Sequence, residues 1–440
     1  MQQQAAVKQT PHTERDAKRE AAQQAAREKA YALPLETLDP ARPSLFQKDE
    51  MWPYFERLRN EAPVHYTPDS FYGPYWSVTK FDDIVAIDTD HKTFSSEPGI
   101  ALVPKDMLQE DENGQRRGAS MFIAMDQPKH DEQRKTVTPA VSPFNLAKLE
   151  PLIRERAAGI LDGLPIGEKF NWVEHVSKEL TGMTLATLFG MPQEDRKKLL
   201  YWSDCITAAP GQGLVDSYEH KQQIFREFGA YFLNLWEERF DAPPSEDLIS
   251  MLAHGPATRD MNKLEMLGNV VLLTVGGNDT TRNTISGSVL ALNQNPAEYA
   301  KLRADPALIP SMVSETIRWQ TPLAHMSRRA TRDVEFRGQH IKKDDVVVMW
   351  YVSGNRDEDV IENANEYIID RERPRHHVSF GFGIHRCVGN RLAELQLRVI
   401  WEEILKRFPE IQVVDDPKRV YSVFVKGYET LDVVIPRKNG

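Results

Sequence analysis

Cysteine is nearly absent: the 440 residues contain only Cys205 and Cys387. Two distant thiols build no disulfide framework, CxxC zinc site or iron–sulfur cluster, and their scarcity fits a reducing, cytoplasmic setting. Positive charge is also short. The formal net charge is −10, whereas a nucleic-acid-binding domain carries a basic excess, so no nucleic-acid partner is expected. No run of about 18 apolar residues occurs, which argues against a transmembrane anchor. The opening stretch, MQQQAAVKQTPHTERDAKREAAQQAAREKA, lacks the apolar core of a secretory signal. Nor does the chain carry a glycine fingerprint for a flavin or nicotinamide. Any redox chemistry must draw its electrons from another protein.

Length alone suggests about three domains at roughly 150 residues each, but no linker divides the chain. The organisation expected is a polar, mobile tail over 1–31 and a single domain over 32–440, mainly α with a small β-rich lobe. The tail is rich in helix formers but has no apolar stripe to dock it. PVHYT (63–67) and YWSVT (75–79) flank the turn signal FYGP and read as a strand pair. Residues 95–120 show no sustained period and read as a long functional loop. From 126 to about 320 helical spacing dominates, as in NLAKLEPLIRERAAGILDGL (145–164) and QQIFREFGAYFLNLWEERF (222–240). TAAPGQGLVD (207–216) interrupts it as a loop. The longest helix is predicted from Lys263 to Gln294, stopped by Asn295-Pro296. At 1.5 Å per residue it measures on the order of 48 Å, enough to cross the domain. VEFRGQHI (334–341), DVVVMWYV (345–352) and LDVVIP (431–436) read as strands. Residues 390–408 read as a last helix, ended by Pro409.

One of the two cysteines sits in HHVSFGFGIHRCVGNR (376–391), just before that last helix. A thiol at a helix mouth faces unpaired backbone N–H groups and the positive end of the helix dipole, which favour thiolate. Gly381, Gly383 and Gly389 allow close approach of the backbone or positive φ. Phe380 and Phe382 add flat aromatic surface. Such a loop suits a thiolate ligand to a large planar metal complex, as haem iron takes from cysteine. Two other readings fit the stretch alone: a buried structural cysteine beside a Gly-rich turn, or a small metal site built from His376, His377, His385 and Cys387.

The centre of the long helix reads LLTVGGNDTT (272–281), a run of poor helix formers. A Thr280 hydroxyl bonding the carbonyl of Gly276 loosens the ladder and makes room for a diatomic ligand and waters. The plain alternative is a kink with polar surface residues. SETIR (314–318) puts Glu315 and Arg318 on one helix face, as a surface pair worth about 0.2–0.5 kcal/mol or as something more. DQPKHDEQR (126–134) puts His130 and Arg134 one turn apart, a repulsive pair unless an anion lies between them.

FGFGIHRCVG (380–389) resembles the haem-binding signature of cytochromes P-450, Phe-x-x-Gly-x-x-x-Cys-x-Gly, with all four fixed positions present. VGGNDTT resembles the same family's oxygen-groove motif, with Gly276 as its first residue, and the matches span about 126 to 430. The resemblance implies the P-450 fold, a triangular prism with haem b between the long central helix and the helix after the cysteine loop. It implies that Cys387 is the iron ligand and that Phe380 and Gly389 pack on the haem. Thr280 then holds dioxygen and the proton-delivering water, and Asp279 relays protons inward from solvent. In soluble bacterial members, propionate binding carries over onto His130, Arg134, Arg328 and His385, and the Glu315–Arg318 pair becomes a buried brace, usually with a third partner. Two departures stand out: Ala364 replaces the family's Pro, and Asp344 replaces a turn Gly that Asp tolerates.

The family's chemistry uses O2 and two electrons, supplied in soluble bacterial members by a ferredoxin and a ferredoxin reductase. Residues 371–398 hold six arginines (Arg371, Arg373, Arg375, Arg386, Arg391, Arg398) against Glu372 and Glu394, a basic face expected to dock an acidic ferredoxin. Leu272, Leu273 and Val275, with TPLAHM (321–326) and SVFVKGY (422–428), should wall an apolar substrate site. FYGPYWSVTKF, TVGGNDTTRN, SETIRWQTPLAHM and VVMWYVSGNRD look like the wording of the alkane and fatty-acid terminal hydroxylases. That likeness implies oxidation of a terminal methyl at the end of a narrow channel, with loops 96–120 and 207–216 at its mouth. Competing expectations are the same chemistry on a terpene or sterol side chain, and a haem-binding sensor or carrier without turnover.

Overall fold

The computed structural model describes residues 12–97, 99–107, 109–110, 116–117, 120–208, 211 and 213–439. Helices dominate, and a small mixed sheet lies to one side. Its strands are β1 (Val64–Thr67), β2 (Tyr75–Val78), β3 (Phe94–Ser95), β4 (Met326–Ala330) and β5 (Val346–Met349), in the order β1-β2-β5-β4-β3. β1 and β2 pair antiparallel with Val64 opposite Val78, as the Gly-Pro turn between them requires. β5 joins β2 in parallel, Val347 opposite Trp76, and β4 runs antiparallel to β5 with Val347 opposite Arg328. Early and late parts of the chain thus meet in one sheet. The expected strand over 345–352 stops at Met349, and Tyr351–Gly354 turns into a short helix. The segment 334–341 is a hairpin of two short strands rather than one. Asp344 indeed takes a left-handed turn, with φ 71°.

The helix Lys263–Gln294 ends where the Asn-Pro signal placed it. It runs through the core against the helices Lys178–Phe189, Arg196–Thr207, Ile309–Gln320 and Asn390–Arg407. From Thr281 to Leu292 nearly every side chain is buried, so this half has no solvent-facing side. Trp401 donates its indole N–H to Ser288 Oγ at 2.8 Å and fastens the last helix to the long one.

The tail expectation needs correction where the structure describes it. Residues 12–32 form a helix, docked through the small residues Ala26 and Ala30 on the helix Trp52–Glu61. Arg27 pairs with Glu56 at 2.5 Å and its guanidinium lies over the Tyr31 ring. Alanines pack closely without forming the wide apolar stripe that periodicity detects. Residues 1–11 lie outside the described residues.

Candidate active site

A cavity of about 1360 Å³ opens inside the molecule. Of the ten site residues expected from the sequence, eight line it: Gly276 and Thr280 from the long helix, Arg134 and Arg328 from flanking segments, and Phe380, His385, Cys387 and Gly389 from the cysteine loop. Asp279 and His130 stand just behind the wall.

The cysteine loop is shaped by its glycines. Gly381 and Gly383 have φ of 64° and 65°, and a Cβ on Gly383 would lie 2.4 Å from the Asp88 carbonyl oxygen. Cys387 N–H returns to the Phe380 carbonyl at 2.8 Å and closes the turn. The Cys387 side chain is exposed and lines the cavity. Its pKa is raised, because desolvation outweighs the amides of Gly389 and Asn390 and the charges of Arg134 and Arg386, which pull it down. The backbone amides and arginine charges at the helix mouth thus act on the thiol in the expected direction, against the desolvation that raises its pKa. Burial depth cannot be seen in a ten-residue motif.

Haem b carries two propionates, and the cavity rim offers matching groups. Both ring nitrogens of His385 and Nε2 of His130 are buried with no hydrogen-bond partner. The two rings touch, with centroids 4.2 Å apart. Desolvation, with Arg328, His130 and Arg134 adding to it, pushes the His385 pKa down to about 2, so the ring stays neutral and keeps one N–H to donate. A Cβ at Gly276 or Gly389 would meet nothing within 4 Å. Orphaned donors beside open backbone fit a flat ligand with acidic edges. His376 and His377 turn elsewhere, onto Phe81 and Phe380, and among the described residues no group of three or more His, Cys, Asp or Glu side chains is gathered to hold a metal ion.

On the long helix the Thr280 hydroxyl donates to the Gly276 carbonyl at 2.7 Å, as expected. The helix nevertheless continues without a break. The adjacent glycines face different partners: Gly276 opens onto the cavity, while a Cβ on Gly277 would lie 2.6 Å from Leu185 Cδ2. Asp279 is fully buried. Its Oδ1 accepts from Arg282 at 2.7 Å and from Asn278 Nδ2 at 3.2 Å, and its Oδ2 is unpartnered. Desolvation pushes its pKa up to about 6 against the opposing pull of Arg282. Arg282 also pairs with Asp204, Asp204 with Lys178 at 3.1 Å, and Lys178 with the half-exposed Glu174 at 2.5 Å. A chain of charged groups thus leads from Asp279 to the surface.

Three functional neighbours escaped the sequence reading. Asp88, buried at the end of the helix Phe81–Thr89, accepts from Arg328 at 2.7 Å, Tyr351 Oη at 2.9 Å and the Phe382 N–H at 2.7 Å. It fixes the cysteine loop to Arg328. Arg371 is the missing third partner of the brace, 3.0 Å from Glu315 Oε2. Glu315 and Arg318 are buried and joined by two 2.7 Å hydrogen bonds, so the pair is no surface ion pair. His325 is the third. None carries a local signal, because each partner comes from a distant part of the chain. The same contacts trim the expected docking face. Arg371 belongs to the brace, and Arg398 is tied to Glu150 and Glu402. Arg373, Arg386 and Arg391 stay exposed without a carboxylate partner among the described residues.

The walls beyond these groups are apolar. Leu272, Leu273 and Val275 line the cavity, as do Leu323, Met326 and residues 421–425. Residues 100–104 and Thr207 reach it from the two loops expected at the mouth; residues 98, 108, 111–115, 118–119, 209, 210 and 212 of those loops lie outside the described residues.

Fold and cavity together fit a protein that holds a planar cofactor beside a cysteine. The family model Cytochrome P450 matches residues 103–426. The chain is 34% identical over 408 residues to linalool 8-monooxygenase of Pseudomonas putida, covering 92% of this chain and 100% of that one. It is 31% identical over 393 residues to a methyl-branched lipid omega-hydroxylase of Mycobacterium tuberculosis, covering 86% and 90%. The solved structure of CYP153D17 from Sphingomonas sp. superposes with a TM-score of 0.84 at 45% identity, covering 91% and 99%. The chain belongs to the cytochrome P450 family. It is a P450 monooxygenase with the P450 fold and haem b as cofactor, and no described helix is long and apolar enough to cross a membrane.

Proposed function

We propose that the protein hydroxylates the terminal methyl of medium- or long-chain alkanes or fatty acids. The observation that carries this reading is the apolar wall enclosing the cavity that Cys387 and Thr280 share. The similarity to an omega-hydroxylase of branched lipids supports it. A terminal methyl has the strongest C–H bonds of an alkane, so reactivity alone favours the interior. Only orientation by the walls can reverse that order.

When bound, haem activates O2 so that one oxygen atom enters a C–H bond and the other leaves as water, consuming two electrons and two protons. The protein's residues have separate tasks. Cys387 supplies the iron's thiolate ligand. His130, Arg134, Arg328 and His385 hold the propionates through charge and N–H donors, while Phe380, Gly276 and Gly389 accommodate the flat ring. Thr280 holds the proton-delivering water, and Asp279 passes protons to it, its carboxylate oriented by Arg282, which Asp204, Lys178 and Glu174 hold in turn. An Asp–Thr pair so placed favours turnover over a sensor or carrier role.

Product analysis tests the substrate reading. Supplied with octane, a fatty acid or limonene and a surrogate ferredoxin system, the holoenzyme is expected to give chiefly terminal alcohols from the first two. Absence of any terminal alcohol overturns the reading. The second reading, a terpene or sterol side chain, is favoured by the similarity to a linalool 8-monooxygenase, since linalool is a terpene alcohol. Limonene turnover without alkane turnover would select it.

Electrons come from a ferredoxin and its reductase, docked on the exposed Arg373, Arg386 and Arg391. Exposed charges are screened beyond about 8 Å at 0.15 M salt. Reduction by an acidic ferredoxin is expected to slow about tenfold or more between 0.05 and 0.5 M salt, as steered association does. A stopped-flow reduction rate independent of salt counts against docking by charge.

A further inference from the structure

Behind the cavity wall lies a buried histidine that the oxygen chemistry leaves unused. His325 is fully buried. Its Nε2 accepts the Leu102 backbone N–H at 3.1 Å, and its Nδ1 lies 3.0 Å from the Val423 carbonyl oxygen. An acceptor nitrogen carries no proton, so the proton sits on Nδ1 and is donated to Val423. This arrangement needs a neutral ring, and burial secures it by pushing the pKa down to about 4. The ring is further held by Trp350 and Phe424, with centroids 5.0 and 5.4 Å away.

Leu102 and Val423 both line the cavity. They belong to segments far apart in sequence, and His325 reaches both with one ring. Backbone hydrogen bonds from the same segment work in parallel: Ser327 N–H to the Ile100 carbonyl at 2.7 Å, and Ala324 N–H to the Phe424 carbonyl at 2.8 Å. Three wall segments are therefore registered against each other, and the His325 side chain joins both outer ones.

We propose that His325 is a specificity-determining positioning residue: by tying residues 99–107 to residues 421–425 it holds the channel at the width that presents one end of a chain substrate. The proposal rests on the terminal-methyl reading. Without the bridge, the Leu102 amide and the Val423 carbonyl lose their shared partner and turn towards water. The two loops then separate, and internal carbons gain access to the oxygen site. A displacement of about 1 Å suffices to change relative rates up to a hundredfold.

The test uses the holoenzyme with octane. His325→Leu is expected to lower the ratio of terminal to internal alcohols by about tenfold and to weaken octane binding, read from the haem spin-state shift. His325→Gln offers one acceptor and one donor, as the imidazole does, and is expected to restore the ratio to within about twofold. Should His325→Leu not accumulate as folded holoenzyme, His325→Asn replaces it, being polar but too short to reach both partners. A folded, haem-loaded Leu or Asn variant with the native product ratio and octane affinity overturns the proposal. So does a Gln variant that behaves like the Leu variant. If the unaltered enzyme forms no terminal alcohol, the terminal-methyl reading falls. The His325 proposal is then still decided by whether the variants shift octane affinity and the pattern of internal alcohols.

Discussion

Cys387→Ser is expected to abolish both the thiolate CO-difference band of the reduced protein and its turnover. Serine is nearly isosteric, and the side chain faces the cavity rather than a packed interior. The Phe380–Cys387 backbone turn and the two left-handed glycines do not depend on sulfur. The variant should therefore fold and retain haem through its propionate partners. It lacks a thiolate to donate electron density to the iron. Octane hydroxylation should drop at least about a thousandfold, roughly 4 kcal/mol of barrier at about 1.4 kcal/mol per tenfold. An unchanged CO-difference spectrum with retained activity would remove Cys387 from the centre of the mechanism.

Asp279→Asn should cost about a hundredfold in hydroxylation rate, the lower end of what a positioned acid–base group contributes. Haem content and substrate spin-state shift should stay as they are. The native carboxyl titrates at about 6, so near neutrality it can both hold and release a proton, and an amide can do neither. The fold tolerates the change because Arg282 keeps Asp204 as its carboxylate. Stability follows from the sign of the shift. A carboxyl raised from 3.8 to about 6 destabilises the folded state above pH 6, and the cost is relieved as pH falls towards 4. The Asn variant escapes that cost, so its denaturation midpoint at pH 7 should not fall by more than the lost Arg282 contact explains. Full hydroxylation activity in a haem-loaded Asn variant would exclude Asp279 from proton delivery.

What the sequence revealed divides along a physical line. Features written in neighbouring residues were readable: the cysteine loop with its glycines, the Asn-Pro stop of the long helix, the Thr280-to-Gly276 hydrogen bond, the strand pair about FYGP. So was the set of eight residues that line one cavity, because a motif and its resemblance carry spacing as well as identity. Features made by distant residues were not. Asp88 meets Arg328 across 240 positions and His325 meets Leu102 across 223. Such pairings leave no period and no composition bias. Signs that depend on depth also stayed hidden. The helix mouth acts on the Cys387 thiol as its position implies, but desolvation is the larger influence, and only the folded chain determines it. The basic run over 371–398 had the same weakness. Its arginines are alike in sequence, though Arg371 is structural and Arg391 is exposed.

The brace around Glu315 has a consequence for how freely this region can drift. Arg318 donates to the carbonyl oxygens of Asn355, Ala364 and Glu366, and Arg371 to those of Asn363 and Glu366. Two guanidinium groups therefore grip the segment 355–371 almost wholly by its main chain. Every residue type has a carbonyl, so the grip is indifferent to the side chain that sits above it. Ala364, for one, is held through its carbonyl and not through its methyl group. The stretch is free to change its outward chemistry, and with it the character of that surface, while the geometry beneath the cysteine loop is preserved.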